Sequence, residues 1–150
     1  MNSLSDQNLD IAKNLNDIAS IYSKKGDFEK STELYTKALN MQISLFGKEH
    51  IFCAAIIKNI ASDNLAKKDY KNALKLFNEA LKLKENFLGK DHPETAAIYY
   101  NLGEYYRILK DNKHALEFYS KALDIRKKML GEKHPLTDKT KIAIKAIKDQ

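Results

Sequence analysis

Apolar residues recur along this chain at helical spacing, in stretches that come in pairs. Leu15, Ile18, Ala19 and Tyr22 fall on one face of a helix, and Leu34, Tyr35, Ala38, Leu39 and Met41 on one face of a second. The break between them reads Lys25-Gly26-Asp27, material for ending one helix and starting another. The pattern predicts a helical hairpin.

That hairpin returns every 42 residues. Phe46-Gly47-Lys48-Glu49-His50, Leu88-Gly89-Lys90-Asp91-His92 and Leu130-Gly131-Glu132-Lys133-His134 are in register, with Pro93 and Pro135 following the last two. Small residues keep step in the columns Ala19, Ala61, Gly103; Ser31, Ala73, Ala115; and Ala38, Ala80, Ala122. Bulky ones do so at Tyr35, Phe77, Tyr119; Leu39, Leu81, Leu123; and Ile18, Ile60, Leu102. Small positions let helices approach, and bulky ones fill the space between them. The inner breaks of the later units read Lys68-Asp69 and Lys110-Asp111-Asn112, without the glycine of the first. Gly47, Gly89 and Gly131 suit the left-handed turn that ends a helix, and the prolines suit the first turn of the next. Repeats are expected at about 5–46, 47–88 and 89–130. A last amphipathic helix at 135–149, apolar at Ile142, Ala143, Ala146 and Ile147, would cap the stack within a single domain of residues 1–150.

Composition narrows the picture. The 150 residues are 43% hydrophobic and 31% charged, with 5 Gly and 2 Pro, which is helical, globular material poor in tight turns. One cysteine, Cys53, excludes an internal disulfide framework. The N-terminal residues lack a signal-peptide pattern and no apolar run is long enough for a membrane span, so a cytoplasmic protein without membrane attachment is expected. The net charge of +6 comes from 24 Lys and only 2 Arg, with no basic block. Scattered lysines read as a solvated surface, and a specific nucleic-acid face is disfavoured.

The spacing Leu15, Ile18-Ala19, Tyr22, then Ser31, Tyr35 and Ala38 resembles the tetratricopeptide repeat, and the resemblance covers nearly the whole chain. The 42-residue period, the Leu-Gly-x-x-His-Pro boundary and Asn101-Leu102-Gly103 look like the repeats of kinesin light chain and its relatives. The ordinary repeat has about 34 residues, so the second helices here should run on for about two more turns. The resemblance implies an all-α, right-handed superhelical solenoid of three hairpins and a capping helix. It also implies a protein-binding role without enzymatic activity or cofactor.

Nothing in the motifs points to chemistry. His50, His92 and His134 sit in equivalent boundary loops too far apart to share a metal ion, and a structural role ahead of each helix is expected. Cys53 stands where Thr95 and Thr137 stand in the later repeats and has no base beside it, which predicts an inert thiol. Glu33 and Glu117 lie four residues before Lys37 and Lys121, the spacing of exposed ion pairs. No nucleophile elbow, phosphate loop or zinc-protease run is present.

The resemblance instead places function on the concave face of the first helices. The corresponding residues are Asn16, Asp17 and Ser20; Lys58, Asn59 and Ser62; and Tyr100, Asn101, Glu104 and Arg107. Asn59 and Asn101 stand in equivalent places with Asp17, where a carboxamide can both donate to and accept from the backbone of an extended peptide. The cationic ends of a carboxylate clamp are missing, since Asn16, Ser20, Ala97 and Asn101 stand there. Lys58, Arg107 and Lys139 would add a modest bias towards an acidic ligand. Among the aromatic residues, Tyr100 is the one expected to touch a ligand, while Tyr99 and Tyr106 face the core. The expected function is therefore to bind a peptide segment of a partner protein. Alternatives are a basic surface for nucleic acid or another anionic partner, or self-association through the uncapped first helix at Ile11, Leu15 and Ile18, with a monomer preferred over a homo-oligomer.

Overall fold

The computed structural model describes residues 3–150, and among them there are seven α-helices and no strand. They are α1 (Leu4–Lys24), α2 (Phe28–Phe46), α3 (Ile51–Ala66), α4 (Tyr70–Leu88), α5 (Pro93–Ile108), α6 (Asn112–Leu130) and α7 (Pro135–Lys148). The chain forms two compact units, Met1–Leu83 and Lys84–Gln150, with the division falling within α4.

The punctuation follows from local chemistry that each repeat reuses. Asp27, Asp69 and Asp111 cap the second helices, each accepting a backbone N–H three residues on. Histidine caps the first helices. The Nδ1 atoms of His50, His92 and His134 accept from the N–H groups of Phe52, Glu94 and Leu136 at 3.3, 3.1 and 3.1 Å. That fixes the structural role expected of these residues, each at the head of a different helix. Pro93 and Pro135 occupy the first helical position, where no N–H is needed.

The boundary glycines are left-handed, with φ of 85° at Gly47, 82° at Gly89 and 98° at Gly131. Their carbonyls are held from the next helix by Cys53 Sγ at 3.6 Å, Thr95 Oγ1 at 2.9 Å and Thr137 Oγ1 at 2.8 Å. Burial, and then the charge of Glu79, push the Cys53 thiol up, away from a reactive thiolate. The inner breaks reach the same left-handed geometry by different means. Gly26 adopts it freely, whereas Lys68 and Lys110 do so at φ of 65° and 61° with a side chain in place.

In the first unit α1 packs on α2 and α2 on α3. Ala19, Tyr35, Ala38 and Ile56 make one buried cluster, with Leu15, Leu34, Leu39 and Ile60 against it. Leu15, partly buried, packs against this cluster on the helical face its spacing predicts, and not on the open end face of the self-association alternative. Ile18 departs from expectation. It shares a column with Leu102, yet Ile18 is 45% exposed and Leu102 is fully buried. Leu4, Ile11 and Ile21 are exposed beside Ile18, because among the described residues no helix packs over the outer side of α1.

In the second unit α5 packs on α6 and α6 on α7. Ala115, Tyr119 and Ile147 form a buried cluster edged by Tyr100, Tyr106, Leu116, Ala143 and Ile144. Gly103 is needed here. A Cβ at that position would meet the Tyr119 ring at 2.5 to 2.9 Å. Lys121 does not pair with Glu117 as its spacing suggested; its ammonium lies over the rings of Tyr99 and Phe118, at 5.6 and 5.3 Å from their centroids. The companion pair Lys37–Glu33 does form, at 2.7 Å.

Candidate functional site

The residues expected to bind a ligand fall into one set in each unit. In the first, Asn59 on α3 donates from Nδ2 to Oδ1 of Asn16 on α1 at 3.0 Å, and Asn16 in turn faces Asp17 Oδ1 at 3.4 Å. The pairing joins two neighbouring first helices and engages one donor of Asn59. Ser62 turns its hydroxyl back to the Lys58 carbonyl at 3.1 Å, and Ser20 bonds to the Tyr35 phenol. Both serines therefore direct their hydroxyls at their own scaffold.

A carboxylate that the sequence reading passed over organises this unit from inside. Asp63, on α3, is 1% exposed. Its Oδ1 accepts from Ser23 on α1, and its Oδ2 accepts from Ser31 on α2 at 2.5 Å. One buried side chain ties together three helices. Burial, followed by the Asp63 charge, pushes the Tyr35 phenol up to about 12, with the Ser20 hydrogen bond working the other way.

In the second unit the carboxylate has moved to the face of α5. Glu104 accepts from Arg107 Nη2 at 2.7 Å, from Arg107 Nε at 3.4 Å, and from the Tyr119 phenol. Burial pushes the Glu104 carboxyl up, but the Arg107 and Tyr119 hydrogen bonds and the charges of Arg107 and Lys139 outweigh it and leave it below its ordinary value. The same contacts raise Arg107. The Tyr119 phenol is raised first by burial and then by Glu104.

Tyr100, Glu104 and Arg107 form one wall of a cleft of about 610 Å³, and α7 forms the other through Asp138, Lys139, Ile142, Ala143 and Ala146. The helix expected only to cap the stack thus lines a cleft beside the first-helix face of this unit. Tyr100 is half-buried, as its proposed contact role requires, and its ring carries two cations. The Arg126 guanidinium carbon and the Lys139 ammonium each lie 4.9 Å from its centroid. Asn101 is outside the cleft lining and, among the described residues, makes no hydrogen bond or ion pair.

Arg126 escaped the sequence reading although a signal for it was present. It stands in register with Gln42 and Lys84, three residues after Leu39, Leu81 and Leu123, and all three polar side chains are buried. Lys84 reaches Glu94 at 3.3 Å. Gln42 Oε1 and Arg126 Nε have no hydrogen-bond partner among the described residues.

Comparison with known proteins bears on this arrangement. The family model described as tetratricopeptide repeat matches residues 10–86 and 51–128. No curated protein is a significant match. Among solved structures, BtubC (BKLC) from P. vanneervenii is similar at 25% identity and a TM-score of 0.81, over 92% of this chain and 55% of that one. A kinesin-light-chain-like protein of nearly identical TPR-like repeats from Podosopora anserina superposes with a TM-score of 0.68 at 19% identity, over 92% of this chain and 65% of that one. The N-terminal domain of stress-induced protein-1 from C. elegans gives a TM-score of 0.61 at 18% identity, over 91% and 96%. This chain thus spans about half of the first and two thirds of the second.

Proposed function

Because the chain belongs to the tetratricopeptide repeat family, whose all-α hairpins serve as scaffolds for protein interaction, we propose that it binds a peptide segment of a partner protein along the face presented by its first helices. It acts in the cytoplasm and performs no catalysis. The observation that carries this reading is the cleft beside Tyr100, Glu104 and Arg107. It is mostly apolar surface rimmed by charged side chains, the make-up of a site that seats a side chain and orients it. The Asn16–Asn59 pair lies on the corresponding face of the first unit. Its remaining donors and acceptors suit the backbone of an extended segment.

The test compares the wild type with an Asn59→Ala, Asn101→Ala, Arg107→Ala variant of equal helicity, each used to retain partners from a lysate of the source cell. Partners held by the wild type and lost by the variant support the groove. Equal retention of every partner refutes it.

A second reading is favoured by a separate observation. Leu4, Ile11 and Ile18 lie seven residues apart on α1, and with Ile21 they are 45–74% exposed. Such a stripe suits pairing with another copy of the chain. Light scattering over a dilution series decides it: a mass that falls towards 17.2 kDa on dilution supports self-association, and a monomer throughout removes it.

A further inference from the structure

Along the outer side of α1, Leu4, Gln7, Ile11, Asn14, Ile18 and Ile21 follow one another in alternating steps of three and four, and every one of them is exposed. That spacing is the seam of a two-stranded coiled coil. On one flank of the seam Asn8 and Leu15 are half-buried and turn towards α2, Asn8 lining a hollow with Met41 and Leu45, and Leu15 packing near Tyr35 and Ala38. On the other flank Asp10, Asp17 and Lys24 are exposed at intervals of seven. Among the described residues none of these three is in an ion pair.

The repeat itself shows what such a face takes. Cys53 and Ile57 stand on α3 where Ile11 and Leu15 stand on α1, and they are 0% and 3% exposed, with α2 packed on α3. Only Gly47 to His50 link those two helices, so the covering helix runs antiparallel to the one it covers. Ile11 is 48% exposed for want of an equivalent neighbour.

Charge selects the occupant and its register. Parallel pairing of two α1 helices would set like helix ends side by side. Two antiparallel registers overlap the seam most. One places Leu4 opposite Ile21 of the second copy and sets Asp10 against Asp17, twice over by symmetry. The other places Ile11 opposite Ile21 and Ile18 opposite Asn14; Asp10 then meets Lys24 at both ends, and Asp17 alone meets its own like. We infer that two copies of this chain pair through α1, antiparallel, in that second register. The inference rests on the self-association reading and adds to it the direction and register of pairing. Both α2 helices lie on the same flank of the pair, so the two hairpins make a bundle of four antiparallel helices.

One pair of helices makes a small interface, so light scattering of the full chain is taken up to about 1 mM, where the mass should approach twice 17.2 kDa. Register is then trapped by disulfide formation in a Cys53→Thr background. A ¹⁵N-labelled Asn14→Cys chain is mixed with an unlabelled Ile18→Cys chain and oxidised; the product joining one of each, told by its mass, should exceed either symmetric product. Charge variants of equal helicity supply an independent check. Lys24→Glu should weaken the dimer about tenfold, and Asp10→Lys combined with Lys24→Asp should restore it to within about twofold. Asp17→Asn should tighten it about twofold by removing the like pair at the centre. A monomer at every concentration overturns the inference together with the self-association reading. A dimer in which the Asn14→Cys chain joins itself, or joins an Ile11→Cys chain in preference, overturns the register and leaves self-association in place. So does a dimer that Lys24→Glu does not weaken.

Discussion

The first and third repeats place the same phenol in the same position and surround it differently. Tyr35 and Tyr119 are both buried and occupy one column. In the first unit the neighbouring small residue is Ala19, and the residue after it, Ser20, meets the phenol. In the second, Gly103 makes room for a closer ring, and Glu104 meets the phenol while facing Arg107. The carboxylate that organises unit one is Asp63, sealed among three helices. Its counterpart in unit two, Glu104, stands in the wall of the cleft between α5 and α7. One scaffold therefore uses its acid to lock helices together in one place and to arrange charge beside a cleft in the other.

The strongest challenge to that contrast is Asp63→Ala, which leaves the Ser23 and Ser31 hydroxyls without their acceptor and should cost about 3 kcal/mol in urea unfolding. Asp63→Asn keeps an acceptor oxygen and should recover about half of that. If instead Asp63→Ala is neutral, the buried lock is not what holds unit one. Next comes Gly103→Ala, which drives a methyl into the Tyr119 ring and should cost about 2 kcal/mol despite alanine's better helix propensity. The reverse change in the other unit, Ala19→Gly, should cost about 1 kcal/mol through the backbone alone.

Glu104→Gln sharpens the electrostatic half of the comparison and should cost about 1 kcal/mol at neutral pH. Its pH dependence has a definite sign. Since the folded carboxyl lies below its unfolded value, its stabilisation is complete above the ordinary glutamate range and is lost as pH falls through the folded value. The variant should therefore show a flatter acid limb in stability measured from pH 7 downwards. The smallest effect belongs to the inner turns. Lys110→Gly should gain about 0.5 kcal/mol by relieving a left-handed residue, and Gly26→Lys should lose a similar amount. Thermal melts of the two variants would read both signs.

The helices were legible in the sequence because their limits are set locally. An Asp or His cap, a left-handed glycine and a first-turn proline each act within a few residues, so a 42-residue register exposes them three times over. Burial was less legible. Ile18 looked like Leu102 because a column records the side chain and not whether a helix lies over it. Lys121 looked like a partner of Glu117 because spacing along one helix does not reveal the rings that a neighbouring helix brings within reach. Asp63 was hidden in the polar run Ser62-Asp63-Asn64, where only the packing of α1 and α2 gives it a buried role. The Tyr100, Glu104 and Arg107 side of the cleft followed from helix geometry and resemblance. Arg126 did not, since a single polar residue near the end of a helix looks like surface until its column is followed through Lys84 and Gln42.

The three boundary turns differ in the atom that ties the glycine carbonyl. Where Thr95 and Thr137 tie the glycine carbonyl with oxygen, Cys53 ties it with sulfur. The S–H stretch falls in a part of the infrared spectrum empty of other protein bands, and this is the only thiol in the chain. The chain thus carries a native vibrational reporter at the junction of α2 and α3, with frequency following the strength of that one bond. Loosening of the first boundary can be followed without attaching a label.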